Sequence, residues 1–212
     1  MDENVTAKII SGLLLQINAI KLSPSSPFTW ASGIKSPIYC DNRKTLSFPN
    51  VRNFIRDAFV EVIKKNYPSA RLIAGVATGA IAHGILVAQA LNLPFVYVRS
   101  SPKGHGLENT IEGELLPGLP VVVIEDLIST GGSSLKAVEA ICNAGSEVLG
   151  MSAIFTYELK TASENFSKAN VRLHTLAGYS VLLETAIEQG YISQNDLLTL
   201  KQWKNNPETW AK

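Results

Sequence analysis

Between Arg71 and Phe155 four short, almost fully apolar runs alternate with helical segments, and that alternation narrows the fold more than any other feature of the chain. Leu72-Ile73-Ala74-Gly75-Val76, Phe95-Val96-Tyr97-Val98 and Val121-Val122-Val123-Ile124 read as strands, and Glu147 to Phe155 contains a fourth. Ile81 to Leu91 and Leu135 to Asn143 read as helices between them. Strands without polar alternation are buried on both faces, which is the condition of a parallel sheet covered by helices. The expected class is therefore α/β, a parallel twisted sheet flanked by helices. Such sheets bind ligands in the crevice beyond the carboxyl ends of their strands.

The N-terminal third has a different texture. Ile9, Ile10, Leu13, Leu14, Ile17 and Ile20 recur at helical spacing, which predicts an amphipathic helix over Ala7 to Ile20. Ser23-Pro24-Ser25-Ser26-Pro27 marks a loop, Phe28 to Asn42 a short hairpin, and Asn50 to Asn66 a second helix closed by Pro68. The whole, 1–212, reads as one domain, with an N-terminal helix and small hood over about 1–50 and a helical tail over about 178–212. A last helix is expected within Gly190 to Lys212, with Trp203 and Trp210 packed against the body.

Composition excludes several classes of function. Nineteen basic against 18 acidic residues leave a net charge of +1, so nothing calls for a nucleic-acid or membrane partner. The two cysteines, Cys40 and Cys142, are too few and too far apart for a disulfide framework or a zinc cluster. Asp2 and Glu3 stand where a signal peptide carries basic residues, and no apolar run reaches the roughly 18 residues of a membrane span. A cytoplasmic location is the expectation.

The chemistry concentrates after the third strand, in Glu125-Asp126-Leu127-Ile128-Ser129-Thr130-Gly131-Gly132-Ser133-Ser134. Two acids are expected at the strand's carboxyl end, followed by a turn that opens a helix. Free backbone N–H groups, hydroxyls and a helix N-terminus make such a turn a phosphate cradle. The spacing is not that of a Walker A loop, which also needs a lysine, and acids do not precede the turn of a dinucleotide fingerprint. Paired acids beside a phosphate nest suit a ribose 5-phosphate, with Glu125 and Asp126 accepting from its 2- and 3-hydroxyls. The plainer alternative is a capped helix after an ordinary turn.

This segment resembles the motif of the type I phosphoribosyltransferases that binds 5-phosphoribosyl 1-diphosphate (PRPP). The resemblance gives the ribose hydroxyls to Glu125 and Asp126 and the 5-phosphate to Ser129, Thr130, Gly131, Gly132 and Ser133, with Leu127 and Ile128 inside the same binding segment. Phe28-Thr29-Trp30-Ala31-Ser32-Gly33-Ile34-Lys35-Ser36-Pro37-Ile38-Tyr39-Cys40-Asp41-Asn42-Arg43 is similar to the hood of the orotate phosphoribosyltransferases. Arg99, Lys103 and His105, with Glu112-Gly113 after them, resemble that family's mobile catalytic loop. The wording is closest to the branch found in Bacillus-like bacteria.

The resemblance implies a type I phosphoribosyltransferase fold and transfer of phosphoribosyl from PRPP to orotate. It implies Mg²⁺ carried mainly by the substrate's pyrophosphate, with no metal site of the protein's own. It also implies a homodimer whose catalytic loop serves the neighbouring subunit. Arg99, Lys103 and His105 then count as catalytic and PRPP-binding, and Ser129, Lys35, Tyr39 and Arg43 as candidates for orotate. The chain departs from the enteric branch at Ala31, at Ser100 and in Gly75-Val76-Ala77-Thr78-Gly79-Ala80, each lacking a lysine, and no arginine stands near Tyr157-Glu158. Thr78 and the amides of Ala77 to Gly79 are then candidates for pyrophosphate. Three rival readings remain, an enzyme for another base such as a purine, a PRPP-sensing regulator and a degenerate non-catalytic homologue. The hood speaks against the first, the length and charge against the second, and the presence of Lys103, His105 and the acid pair against the third.

Overall fold

A computed structural model describes residues 2–30, 33–99, 110–207 and 209–210. Helix α1 spans Glu3–Gln16, beginning earlier than its apolar periodicity suggests. The Asp2 side chain caps it, accepting from the backbone N–H groups of Asn4 and Val5 at 3.0 and 3.2 Å. It also stops earlier, because Asn18 turns into the left-handed region at φ 53°. Ile20 therefore belongs to a strand, β1 (Ile20–Leu22).

The expected single hairpin over Phe28 to Asn42 is two ribbons. β2 (Phe28–Thr29) pairs with β3 (Lys35–Ser36), while β4 (Ile38–Cys40) pairs with β1, both antiparallel. Gly33, at φ 84°, makes the first turn, and Pro37 separates β3 from β4. A 3₁₀ helix, Asn42–Ser47, leads into α2 (Pro49–Asn66), whose proline takes the first helical position.

The body is a six-stranded sheet. Its chain order is β5 (Leu72–Val76), α3 (Ile81–Leu91), β6 (Phe95–Val98), β7 (Ile111–Glu112), β8 (Pro120–Ile128) and α4 (Gly132–Asn143). Then come β9 (Glu147–Thr156), α5 (Lys160–Lys168), β10 (Leu173–Gly178), α6 (Tyr179–Glu188) and α7 (Gln194–Asn205). Spatially the order is β10-β9-β8-β5-β6-β7, all parallel except the edge ribbon β7. The parallel, helix-flanked sheet expected from the sequence is present. β7, β10, α5 and α6 were not expected individually.

Successive strand residues feed two cores. Ile73, Val122, Ile124 and Ile154 pack with Ile10, Phe59 and Leu182 from α1, α2 and α6. Leu72, Val121 and Val123 pack on the other face with Ile141 and Phe166 from α4 and α5. From β5 the chain moves one way to β6, then crosses back to place β8 on the other side of β5. The switch point therefore lies between β5 and β8, and a crevice opens beyond their carboxyl ends.

Candidate active site

β8 outruns β5, and this mismatch makes the site. Pairing of β5 with β8 ends at Gly75↔Ile124, while pairing of β8 with β9 runs on through Glu125↔Ala153 to Ile128↔Thr156. Glu125 and Asp126 thus lie inside the strand, which runs to Ile128 and not only to the expected Ile124. On the β9 side they are held in a ladder. On the β5 side they face the turn Ala77-Thr78-Gly79, across a cleft of about 440 Å³.

The two acids differ. Glu125 is buried at 5% exposure, accepts from the Asp126 backbone N–H at 2.9 Å, and accepts from the Ser134 hydroxyl at 2.8 Å. Burial, with the Asp126 carboxyl beside it, pushes its carboxyl up to about 8. Asp126 is half-buried and lines the cleft. Its carbonyl accepts from the Asn42 side-chain amide at 2.6 Å, which ties the N-terminal segment to the acid pair. A Cβ added to Gly79 would overlap the Asp126 carboxylate, so only glycine allows this approach.

The turn after β8 is built as a cradle. Helix α4 starts at Gly132, three residues before the expected Leu135, with Gly131 as its N-cap at φ 80° and no side-chain cap. Its first-turn N–H groups are therefore not occupied by a side chain of the cap residue, the condition for anion binding at a helix N-terminus. The Phe166 ring lies where a side chain at Gly131 would go, and the Asn165 amide donates to the Thr130 carbonyl at 3.0 Å. Helix α5 thus buttresses the turn from below.

Of the residues expected at the site, Arg99, Glu125, Asp126, Leu127 and Ser133 line the cleft. Ser129, Thr130, Gly131 and Gly132 form the turn beside it, and the side chain of Ile128 is wholly buried, leaving only its backbone for a ligand. Arg99 pairs with Glu112 at 3.3 Å across the β6–β7 ribbon. Lys103 and His105 lie outside the described residues, as do Ala31, Ser32 and Ser100. Thr78 and Gly79 line the wall opposite α4.

Lys35, Tyr39 and Arg43 stand on the hood, outside the lining of that cleft. Lys35 donates to Thr29 Oγ1 at 2.8 Å, Tyr39 is 41% exposed, and Arg43 pairs with Asp41 at 2.7 Å. The hood is fastened by Trp30, which stacks on Tyr157 at 5.2 Å and donates to the Ile38 carbonyl at 3.1 Å. Three positions escaped the sequence reading: Asn42, Asn165 and Lys136, which lines the cleft from α4. Lys136 alone carried a usable signal, one helical turn after Ser133. Asn42 and Asp126 are 84 positions apart, and nothing local announces their bond.

The family described as "Phosphoribosyl transferase domain" matches residues 47–174. The orotate phosphoribosyltransferase of Porphyromonas gingivalis is 59% identical over 96% of this chain and 97% of its own length. That of Listeria innocua is 55% identical over 97% of this chain and 98% of its own length. The crystal structure of the orotate phosphoribosyltransferase from Aeropyrum pernix superposes with a TM-score of 0.76 at 28% identity, covering 87% of this chain and 99% of that one. The fold also matches Leishmania donovani UMP synthase at a TM-score of 0.79 and 23% identity, over 93% of this chain and 42% of that chain.

Sheet, acid pair and uncapped turn together define a phosphoribosyltransferase, a pentosyl-transferring enzyme. Near-full-length identity narrows the class further, and the chain belongs to the orotate phosphoribosyltransferase family.

Proposed function

We propose that this chain joins orotate to the ribose 5-phosphate of PRPP, giving orotidine 5-phosphate and pyrophosphate in pyrimidine (UMP) synthesis. The observation that carries the reading is the acid pair beside an uncapped helix N-terminus, at the switch point of a sheet whose relatives are orotate phosphoribosyltransferases. Asp126 and Glu125 take the ribose hydroxyls. The turn Ser129 to Ser133 takes the 5-phosphate, and the wall Thr78-Gly79 takes pyrophosphate. Orotate N1 forms its bond to ribose C1 as the bond from C1 to the pyrophosphate oxygen breaks; both electrons of that bond leave with pyrophosphate, and the N1 proton passes to the departing pyrophosphate or to solvent. Arg99, Lys103 and His105 balance the leaving charge, so catalysis is positioning and electrostatics, with no nucleophilic side chain. Ser129 and the hood residues Lys35, Tyr39 and Arg43 are the candidates for holding orotate.

Among the described residues no group of three or more His, Cys, Asp or Glu side chains could cage a metal ion. The half-buried Asp126 carboxylate bordering the cleft fits a Mg²⁺ that arrives already held by PRPP oxygens. When bound, that ion would neutralise charge on the pyrophosphate.

The homodimer belongs to the same reading. Helix α3 carries no charged residue from Ile81 to Leu91, and Ile85 on it is 47% exposed, a face suited to a second copy. No helix among the described residues is long and apolar enough to cross a membrane, in keeping with the cytoplasmic location proposed.

The test is PRPP-dependent loss of orotate absorbance with Mg²⁺, with adenine, hypoxanthine and uracil as controls. Loss of orotate alone is expected. PRPP binding without orotate turnover would move the assignment to another base or to a PRPP sensor.

A further inference from the structure

The charges that line the cleft do not balance against a polyanionic substrate. Among the described lining residues, two carboxylates, Glu125 and Asp126, face two cations, Arg99 and Lys136. Arg99 is engaged with Glu112 at 3.3 Å. The opposite wall is neutral, since Gly75 to Ala80 holds no charged residue. Lys136 is exposed and forms no ion pair with any described residue, Glu139 one turn on included. It is therefore the uncommitted cation of the described lining.

Its placement fits a ligand better than it fits the helix. Ser133 and Lys136 are three apart on α4, neighbours on one helix face, and both line the cleft. A lysine in the N-terminal half of a helix gains nothing from the helix dipole, which favours cations at the other end. A phosphate chain reaching from the turn Ser129 to Ser133 towards Thr78 and Gly79 has to cross the cleft that Lys136 lines.

We propose that Lys136 is a substrate-binding residue, whose ammonium meets the diphosphate end of PRPP and supplies from α4 the charge that the Thr78–Gly79 wall lacks. This rests on the proposed function, because it takes the cleft's ligand to be a sugar phosphate bearing a diphosphate. A point charge on a flexible stem suits that ligand, whose phosphoryl oxygens change position as the C1–oxygen bond breaks.

The experiment compares the parent protein with Lys136→Gln and Lys136→Arg. Calorimetric titration with pyrophosphate and with PRPP, both in Mg²⁺, is run beside KM for PRPP and for orotate. Lys136→Gln is expected to bind both phosphates about tenfold more weakly, the scale of one charge-assisted contact, with orotate KM and melting temperature unchanged. Lys136→Arg should recover most of the affinity, and the salt dependence of phosphate binding should be shallower in Lys136→Gln than in either cationic form. Undiminished phosphate affinity in Lys136→Gln overturns the proposal, as does an equal loss in both variants. Failure of the proposed function looks different: the parent then binds PRPP, with affinity that depends on Lys136, and leaves orotate untouched.

Discussion

Trp203 offers the sharpest test of how the tail and hood are held together. It is completely buried on α7, with its ring centroid 5.7 Å from Trp30, 5.6 Å from Tyr157 and 5.4 Å from Tyr179. The first two contacts are edge-on at 81° and 84°, a favoured geometry for aromatic pairs. Removing the ring in Trp203→Ala should cost about 3–5 kcal/mol, because transfer energy and the cavity left behind add together. Trp203→Phe should cost much less. It keeps an aromatic ring in place and deletes an indole N–H that has no partner among the described residues, and relief of that desolvated donor offsets about 1–3 kcal/mol of the lost contact. Urea unfolding followed by circular dichroism reads both variants. Because Trp30 belongs to the hood, Trp203→Ala should also raise KM for orotate more than KM for PRPP. A cost under about 1 kcal/mol for Trp203→Ala, or equal costs for the two variants, would refute the idea that this cluster fastens the hood.

Replacing Lys103 by Ala should lower kcat far more than it weakens PRPP binding, and unchanged kcat in steady-state assays would remove the loop from the mechanism. Asn165→Ala deletes the amide bond to the Thr130 carbonyl, so it should raise KM for PRPP several-fold at a stability cost of about 0.5–1.5 kcal/mol, read by kinetics and urea midpoints; an unchanged KM would leave Asn165 a purely structural residue. Glu125 binds a proton more tightly in the fold, at about 8 against an ordinary 4.5, so its contribution is fully present below 4.5 and is lost as pH rises through 8. Urea midpoints of the substrate-free protein should therefore fall between pH 6.5 and 8.5 and stay flatter in Glu125→Gln. That window lies above the range in which His83, held down to about 4 by burial, loses stability as pH falls below 6.5.

What the sequence disclosed and what it hid divide along a physical line. Buried strands such as Val121 to Ile124 announce themselves, because burial on both faces leaves no room for polar residues. The strands and helices that escaped are those with weaker contrast. β10 contains His174 and Thr175, and α5 mixes seven polar or charged residues with its two buried ones, Ala162 and Phe166. At the site, Glu125 to Ser133 was legible because one contiguous segment carries both acids and turn. Its supports were not, since Asn42, Gly79 and Asn165 reach Asp126 and Thr130 from three other elements. The first helix was displaced because a cap at Asp2 and a left-handed Asn18 set its ends, and apolar periodicity records neither.

The acid pair poses an electrostatic problem, since carboxylates in a cleft meant for PRPP repel it. The structure reduces that cost unequally. Burial, with the Asp126 carboxyl beside it, raises the proton affinity of Glu125, so its negative charge is the one the fold disfavours. The Asp126 carboxylate is held against Gly79, and its residue is anchored through its carbonyl by Asn42. It faces a wall made of the uncharged Thr78 and Gly79. Positive potential comes from the N-terminus of α4 and from Lys136, both carried on a helix that Phe166 and Asn165 brace. On the proposed reading this half of the site supplies most of the binding of the ribose and its phosphates. Of the cations assigned to bond breaking, Arg99 directly follows β6, and Lys103 and His105 lie on the separate segment between β6 and β7. Binding and rate should therefore be separable, with changes at Asp126, Asn165 or Lys136 appearing first in PRPP affinity and changes at Lys103 appearing in kcat.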